Sequence, residues 1–348
     1  MSGMRIAVIG AGAFGRKHID TIAAAPSCEV AAVADPSPDA AAYAGERRLR
    51  HFSDHTALLD EVKPDAVIIA APNALHVPIG LTCAERRIPM LVEKPIADTV
   101  EAAERLVDAA ARTGTPLLVG HHRRHNPVLA GARAAVQGGR LGRLTAVSAL
   151  WLLQKPDDYF TAGPWRRETG GGPLLINFIH DIDDLRFIAG EVTAVQAFTA
   201  NAARGFAVED TAVVNLRLVG GALASATISD TVVSPWAWEL TSGENPMFPT
   251  VAENCYVFAG TAGSLTLPRL DLWRYGARTG WAAPLQRERI AVEPADPYVR
   301  QLAHFCRVAA GDEPPLVSGA DATRTLAVAL AVGRAAAEGR VVDLPLRR

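Results

Sequence analysis

The sequence predicts an α/β protein: an N-terminal Rossmann domain with a parallel sheet, followed by an α+β domain with a large open, mainly antiparallel sheet. Three observations predict it. A glycine-rich turn separates a strand from a helix near the N-terminus, and apolar runs of strand length alternate with helical stretches as far as Gly120. Beyond Arg143, strand candidates follow one another without helices between them. A length of 348 residues and a hydrophobic content of 49% suffice for two cores.

The opening run Met4–Ile9 passes directly into Gly10-Ala11-Gly12-Ala13-Phe14-Gly15, a G-x-G-x-x-G placed after a strand and before a helix predicted over 14–25. Gly10 permits the tight turn and Gly12 lets the backbone approach a pyrophosphate. Gly15 allows close helix–strand packing, with the anion on the helix N-terminus. A second strand over 29–34 ends on Asp35, the position of a carboxylate that binds the adenosine ribose. Such a group accepts from a 2′-hydroxyl and repels a 2′-phosphate, which favours NAD over NADP. Asp35-Pro36-Ser37-Pro38 also reads as a simple turn, and Arg47 and Arg48 lie further along as candidates for neutralising a phosphate. Strands over 66–70, 90–92 and 116–119 then alternate with helices over 75–87 and 99–112. Glu93-Lys94-Pro95 ends the apolar run 88–92, so Lys94 stands at the carboxyl end of a strand, where open parallel sheets bind ligands. The domain boundary falls just after Gly120 and divides the chain into residues 1–122 and 123–348.

The second domain opens with a helix over 128–138 and continues with strands over 145–153, 192–200, 211–218 and 222–229. Helices are predicted over 174–189, 297–310 and 321–338. On the first of these, Asn177, His180, Asp181 and Asp184 recur at i, i+3, i+4 and i+7 and form a polar stripe expected to face a cleft or solvent. A net charge of -2 gives no broad basic field and argues against nucleic acid or anionic membranes as partners. The four cysteines are scattered with no C-x-x-C, so they read as free thiols in a reducing compartment, and no metal site is expected. The first strand begins too early for a signal peptide, and the aliphatic stretch 326–332 is far too short to span a bilayer. A cytoplasmic protein is expected.

With these motifs in order, the chain resembles the glucose-fructose oxidoreductase, inositol dehydrogenase and MocA (Gfo/Idh/MocA) family over nearly its full length. The resemblance is carried by Gly10 to Gly15, by Ala71-Pro72-Asn73 with His76, by Glu93-Lys94-Pro95, and by Gly170-Gly171-Gly172 followed by His180 and Asp183. It implies a nicotinamide held by the first domain, with substrate between it and the sheet of the second. Asn73 and His76 would line the dinucleotide site with Ala71 and Pro72, and Glu93 would lie close to the cofactor near Lys94. A turn asparagine and a capping histidine are the structural alternatives. The resemblance also implies a cis Lys94–Pro95 bond that fixes the lysine's direction.

Oxidation of a secondary alcohol needs a proton acceptor while hydride leaves for the nicotinamide. His180 is the candidate base, and Lys94 would bind the same hydroxyl and stabilise alkoxide charge. Inositol dehydrogenase-like relatives carry an Asp four residues before this histidine, whereas Ile176 stands here. Asn177 is adjacent and polar, and serves either the substrate, nicotinamide or His180, or the helix start. Asp181 or Asp184 would compensate for the missing carboxylate, unless the relay is simpler. Trp151, Tyr159, Trp165, Arg166, Trp236, Trp238, Glu239, Glu244 and Asn245 lie near probable loops. Of these, Trp165 and Arg166, together with Arg123, are the candidates for binding a polyol, sugar or sugar acid.

The expected function is an NAD-dependent dehydrogenase of a polyhydroxy compound. Two alternatives stay open: elimination or glycoside cleavage by transient oxidation, and a non-catalytic cofactor sensor. The family resemblance further implies a homodimer or homotetramer assembled through the outer face of the second sheet.

Overall fold

A computed structural model describes residues 3–345. Residue contacts divide the chain into two units. The first comprises the residues up to His125 together with Asp296–Leu326; the second comprises Asn126–Ala295 and the residues from Ala327 onward. The division expected from sequence, 1–122 and 123–348, left 296–326 with the second domain. In the structure the helix Pro297–Ala310 packs on the helix Ala13–Ala23 and on the 3-10 turn His122–His125, and Leu118 forms a β-bridge with Ser318. Helical periodicity shows that a helix forms, but not which sheet receives it.

The first unit holds six parallel strands: β1 (Met4–Ile9), β2 (Cys28–Ala34), β3 (His51–Phe52), β4 (Ala66–Ile69), β5 (Met90–Glu93) and β6 (Leu117–Gly120), in the order β3-β2-β1-β4-β5-β6. The order reverses between β1 and β4, which creates the crevice at the carboxyl ends where such sheets bind ligands. β4, β5 and β6 are buried along their whole length, as their continuous apolar character requires. β3 and the helices Pro38–Glu46 and His55–Val62 escape the sequence patterns. Two residues are too few to show a period, and β3 is defined by pairing with Val33 and Ala34.

The second unit carries nine strands: β7 (Leu144–Leu152), β8 (Val192–Ala200), β9 (Thr211–Leu218), β10 (Leu223–Ser229), β11 (Tyr256–Gly260), β12 (Ser264–Leu267), β13 (Asp271–Tyr275), β14 (Leu285–Arg289) and β15 (Val342–Asp343). Their order is β14-β13-β12-β11-β7-β10-β9-β8-β15, antiparallel except where β7 meets β10. β9 shows how the sheet is built: Ala212, Val214, Leu216 and Leu218 are buried, while Val213, Asn215 and Arg217 face outward. The buried face packs with Leu129 and Ala132, with Ile182 and Leu185, and with Val328 and Val332 into one core. Among the described residues no helix is long and apolar enough to cross a membrane.

Candidate active site

The carboxyl ends of β1, β2, β4 and β5 carry the nominated nucleotide residues. Gly10 has φ +96°, and a Cβ there would stand 2.5 Å from the Ala70 backbone; a Cβ on Gly15 would meet Gly10 O at 1.9 Å. Both positions require glycine. Gly12 instead looks into open space, with nothing within 4 Å of an added Cβ, and it begins the helix Ala13–Ala23 without a side-chain cap. The amides of that first turn, contributed by residues that include Ala13 and Phe14, suit the pyrophosphate of a dinucleotide.

Asp35 follows β2. Its Oδ2 accepts from Ala11 N–H at 2.8 Å and its Oδ1 from Ser37 N–H at 2.9 Å. Partial burial pushes the carboxyl upward, but these backbone donors and nearby His51 hold it below its ordinary pKa. Asp35 thus forms the expected turn with Ser37, and it stands ionised against the glycine-rich loop. Arg47 stacks on the Tyr43 ring at 4.1 Å and reaches Asp20 at 3.3 Å, so its guanidinium is engaged within its own helical neighbourhood.

Ala71 and Pro72 leave β4, and Asn73 starts the helix Asn73–Glu85. His76 is buried, with Nδ1 2.8 Å from Pro95 O and Nε2 2.8 Å from Ala71 O. Burial lowers its pKa, against the opposing pull of those carbonyls and of Glu93 and Asp98. The ring ties the end of β4 to the Lys94–Pro95 peptide, which is cis. Glu93 is likewise buried; Oε1 lies 2.7 Å from His18 Nε2, and Oε2 accepts from Lys94 N–H at 3.2 Å. Burial pushes this carboxyl up, but His18, His122 and Lys94 together hold it below the usual range. Tyr298 meets the His18 ring edge-on at 5.7 Å and stacks on His122 at 4.5 Å. Lys94 Nζ lies 5.8 Å from the ring centroid of half-exposed Phe14, which brings the lysine to the helix end of the glycine-rich loop. Arg123 is buried within the turn His122–His125, and Arg124 beside it pairs with Asp321.

In the second unit the continuous helix expected over 174–189 is two segments, a π-helical turn Leu174–Phe178 and an α-helix Ile179–Ala189. Such turns recur at functional sites because they re-aim side chains. Glu209 seats the turn by accepting from Leu174 N–H at 2.9 Å. The predicted polar stripe does not face solvent: His180 is buried, and Asp181 and Asp184 are fully so. The Tyr256 hydroxyl hydrogen-bonds Asp181 and lies 3.3 Å from Asp184 Oδ2. Periodicity shows which residues share a face, but not that Tyr256 covers Asp181 and Asp184 on it. Asn177 is half-buried, and its Oδ1 accepts from Lys155 Nζ at 2.7 Å. No motif marks Lys155; its one sequence signal is a charge just past an apolar strand.

Trp151 and Trp238 are core residues, and their indole N–H groups donate to Glu239 at 2.9 Å and Glu244 at 3.1 Å. Those four residues build the unit rather than a loop surface. Trp165 is 54% exposed. Arg166 lies over the Tyr159 ring at 3.9 Å and 5.3 Å from Trp165, so planar faces and a cation do gather in this loop.

A glycine turn that admits a pyrophosphate, a carboxylate at the end of β2 and a lysine past β5 define a dinucleotide-binding oxidoreductase built on two units. Residues 4–121 match the model of the oxidoreductase family with an NAD-binding Rossmann fold, and residues 129–266 match the GFO/IDH/MocA C-terminal domain. The chain belongs to this GFO/IDH/MocA family and is an NAD-binding oxidoreductase. It is 35% identical over 206 residues to inositol 2-dehydrogenase 2 of Saccharopolyspora erythraea, a stretch covering 56% of this chain and 57% of that protein. It is 28% identical over 345 residues to 1,5-anhydro-D-fructose reductase of Ensifer adhaerens, covering 98% of both. The WlbA dehydrogenase of Bordetella pertussis, crystallised with NADH and UDP-GlcNAcA, superimposes with a TM-score of 0.80 at 26% identity, covering 99% of this chain and 100% of that one.

Proposed function

We propose that this chain is an NAD-dependent dehydrogenase that oxidises a secondary hydroxyl of a sugar, cyclitol or related polyhydroxy compound. The observation that carries it is Lys94, set at the carboxyl end of β5 beside Phe14 of the glycine-rich loop, with its backbone braced by buried Glu93. Relatives named for inositol and for 1,5-anhydro-D-fructose, both polyhydroxy compounds, agree with that chemistry. Bound NAD supplies the hydride acceptor. The protein supplies the rest: Lys94 donates to the reacting oxygen and stabilises its developing negative charge, His180 takes the hydroxyl proton, and Asn177 orients the substrate. Asp35 receives the adenosine ribose and sets the preference for NAD over NADP. Trp165 and Arg166 offer a face to the sugar ring, and the chain works in the cytoplasm as a homodimer or homotetramer.

The test is a screen of polyols, aldoses and sugar acids that follows the absorbance of reduced cofactor. On the substrate it identifies, Lys94→Ala is expected to bind NAD normally and lose roughly 100-fold or more in kcat. Full turnover by that variant defeats the assigned mechanism, and steady turnover without net NADH would transfer the site to elimination by transient oxidation.

A further inference from the structure

The segment leaving β7 delivers a lysine into the second unit's polar interior. Leu153 N–H donates to Ser229 O at 3.0 Å and Lys155 N–H to Asp230 O at 2.9 Å, so the parallel pairing of β7 with β10 runs on past Leu152 and fixes the Lys155 backbone. The side chain is 8% exposed. Its Nζ lies 2.7 Å from Asn177 Oδ1, 3.7 Å from an Asp230 carboxylate oxygen, and 5.0 Å and 5.4 Å from the ring centroids of Tyr159 and Trp151. Asp230 does not serve this cation alone, because Arg204 Nε takes its Oδ1 at 2.8 Å.

An ammonium carries three donors and no acceptor. Asn177 must therefore turn its oxygen to Lys155, which leaves the Nδ2 group facing the other way. That carboxamide makes no other hydrogen bond among the described residues, and Asn177 is half-buried where Lys155 is nearly closed off. Asn177 also sits in the π-helical turn that leads directly into the helix bearing His180.

We infer that Lys155 is a positioning residue: by holding Asn177 Oδ1 it presents Asn177 Nδ2 as a fixed donor, which selects substrates bearing an acceptor oxygen, hydroxyl or carboxylate, beside the reacting carbon. The inference rests on the dehydrogenase reading insofar as it places Asn177 and His180 at substrate. Lys155 answers to pH as well as to geometry. Burial brings its pKa down to about 8, with Asp230 and Glu239 pulling it up and Arg204 and Arg166 pushing it further down; the Tyr159 ring lies beneath its ammonium, and the carboxyl of Glu209 interacts with it as well. The cation that orders Asn177 is thus lost as pH rises through that value.

Two variants and one spectroscopic readout test it. Lys155→Met keeps the aliphatic stem and removes the cation. Asn177→Asp keeps an oxygen for Lys155, and with it the fold, but replaces the outward donor by an acceptor. Both are expected to raise KM for the substrate by about tenfold or more, with a smaller effect on kcat and none on NAD affinity. The wild type is expected to lose kcat/KM on the alkaline side near pH 8, and that fall should vanish in Lys155→Met. An Asn177→Asp enzyme with unchanged KM overturns the donor role. Independently of turnover, the side-chain amide resonance of Asn177 in labelled full-length protein should shift with a midpoint near pH 8, and lose that shift in Lys155→Met. A resonance indifferent to Lys155 overturns the positioning whatever the kinetics show. A wild type that oxidises no polyhydroxy compound, yet whose Asn177 resonance follows Lys155, defeats the dehydrogenase reading and the substrate role with it, while the pinning stands.

Discussion

Asp35, proposed to receive the adenosine ribose, already has a structural task. Both of its oxygens already accept backbone N–H groups, from Ala11 and Ser37, and these hold it ionised. A carboxylate so fixed cannot swing away from a 2′-phosphate, and its remaining lone pairs suit a 2′-hydroxyl. Asp35→Ser is expected to weaken NAD binding and to shrink the preference for NAD over NADP by about tenfold, read from kcat/KM with each cofactor. An unchanged ratio would place the discrimination elsewhere. Residues of this kind are legible in sequence because their chemistry depends on local spacing: Gly10, Gly15 and Asp35 stand where a strand, a turn and a helix put them. Lys155 and His18 were not legible. Lys155 meets Asn177 across 22 positions and His18 meets Glu93 across 75, and no local pattern records such pairings. His76 was legible as a motif residue but not in direction, since only the fold reveals that both ring nitrogens face backbone carbonyls.

Elements are joined through the same buried groups. Glu93 at the end of β5 grips His18 on the helix Ala13–Ala23, and through His18 and His122 it reaches Tyr298 on the helix Pro297–Ala310. That chain of contacts explains why 296–326 belongs to the first unit, which strand and helix periodicities could not show. It also makes Glu93 a stability element with a defined pH dependence. Its folded-state pKa lies below the ordinary 4.5, so ionised Glu93 stabilises the fold above that value, and the contribution is lost as pH falls through the lowered folded pKa. Glu93→Gln retains the shape but loses the charge. It should cost roughly 1–3 kcal/mol in urea unfolding at pH 7 and flatten the acid-side loss of stability relative to wild type. Parallel acid-side losses in the two proteins would show that Glu93 is not the titrating group. The π-helical turn Leu174–Phe178 belongs to the same class of features hidden from the sequence, because a 3.6-residue period over 174–189 fits an uninterrupted helix equally well.

At the scale of the whole molecule, the alternating patterns of β7 to β10 were enough to announce an open sheet, but its outer face was unreadable because apolar and polar residues mix on it. Phe198 pairs across the ladder with Val213 and Val213 with Thr227, while the adjacent row runs through Asn215 and Ser225. In the isolated chain Phe198 is 69% exposed and Leu223 61%, with Val213 and Val257 also outward. Exposed apolar side chains arrayed over neighbouring strands mark a surface that binds another protein. The sheet's margins do not invite edge pairing: β14 carries Arg287, Glu288 and Arg289 in the open, and β15 is only two residues long. The homo-oligomer we propose would therefore assemble through the face, whose broad, strand-built surface can supply the roughly 800 Å² per partner that a stable interface needs. Light scattering of the wild type should report a dimer or tetramer, and Phe198→Glu combined with Val213→Glu should shift it to a monomer. Circular dichroism and NAD binding should be retained, because both substitutions lie on the solvent side of the second unit's sheet while the glycine-rich turn and Asp35 belong to the first. A wild type that is monomeric at working concentration, or a double variant that stays assembled, would remove this face as the interface.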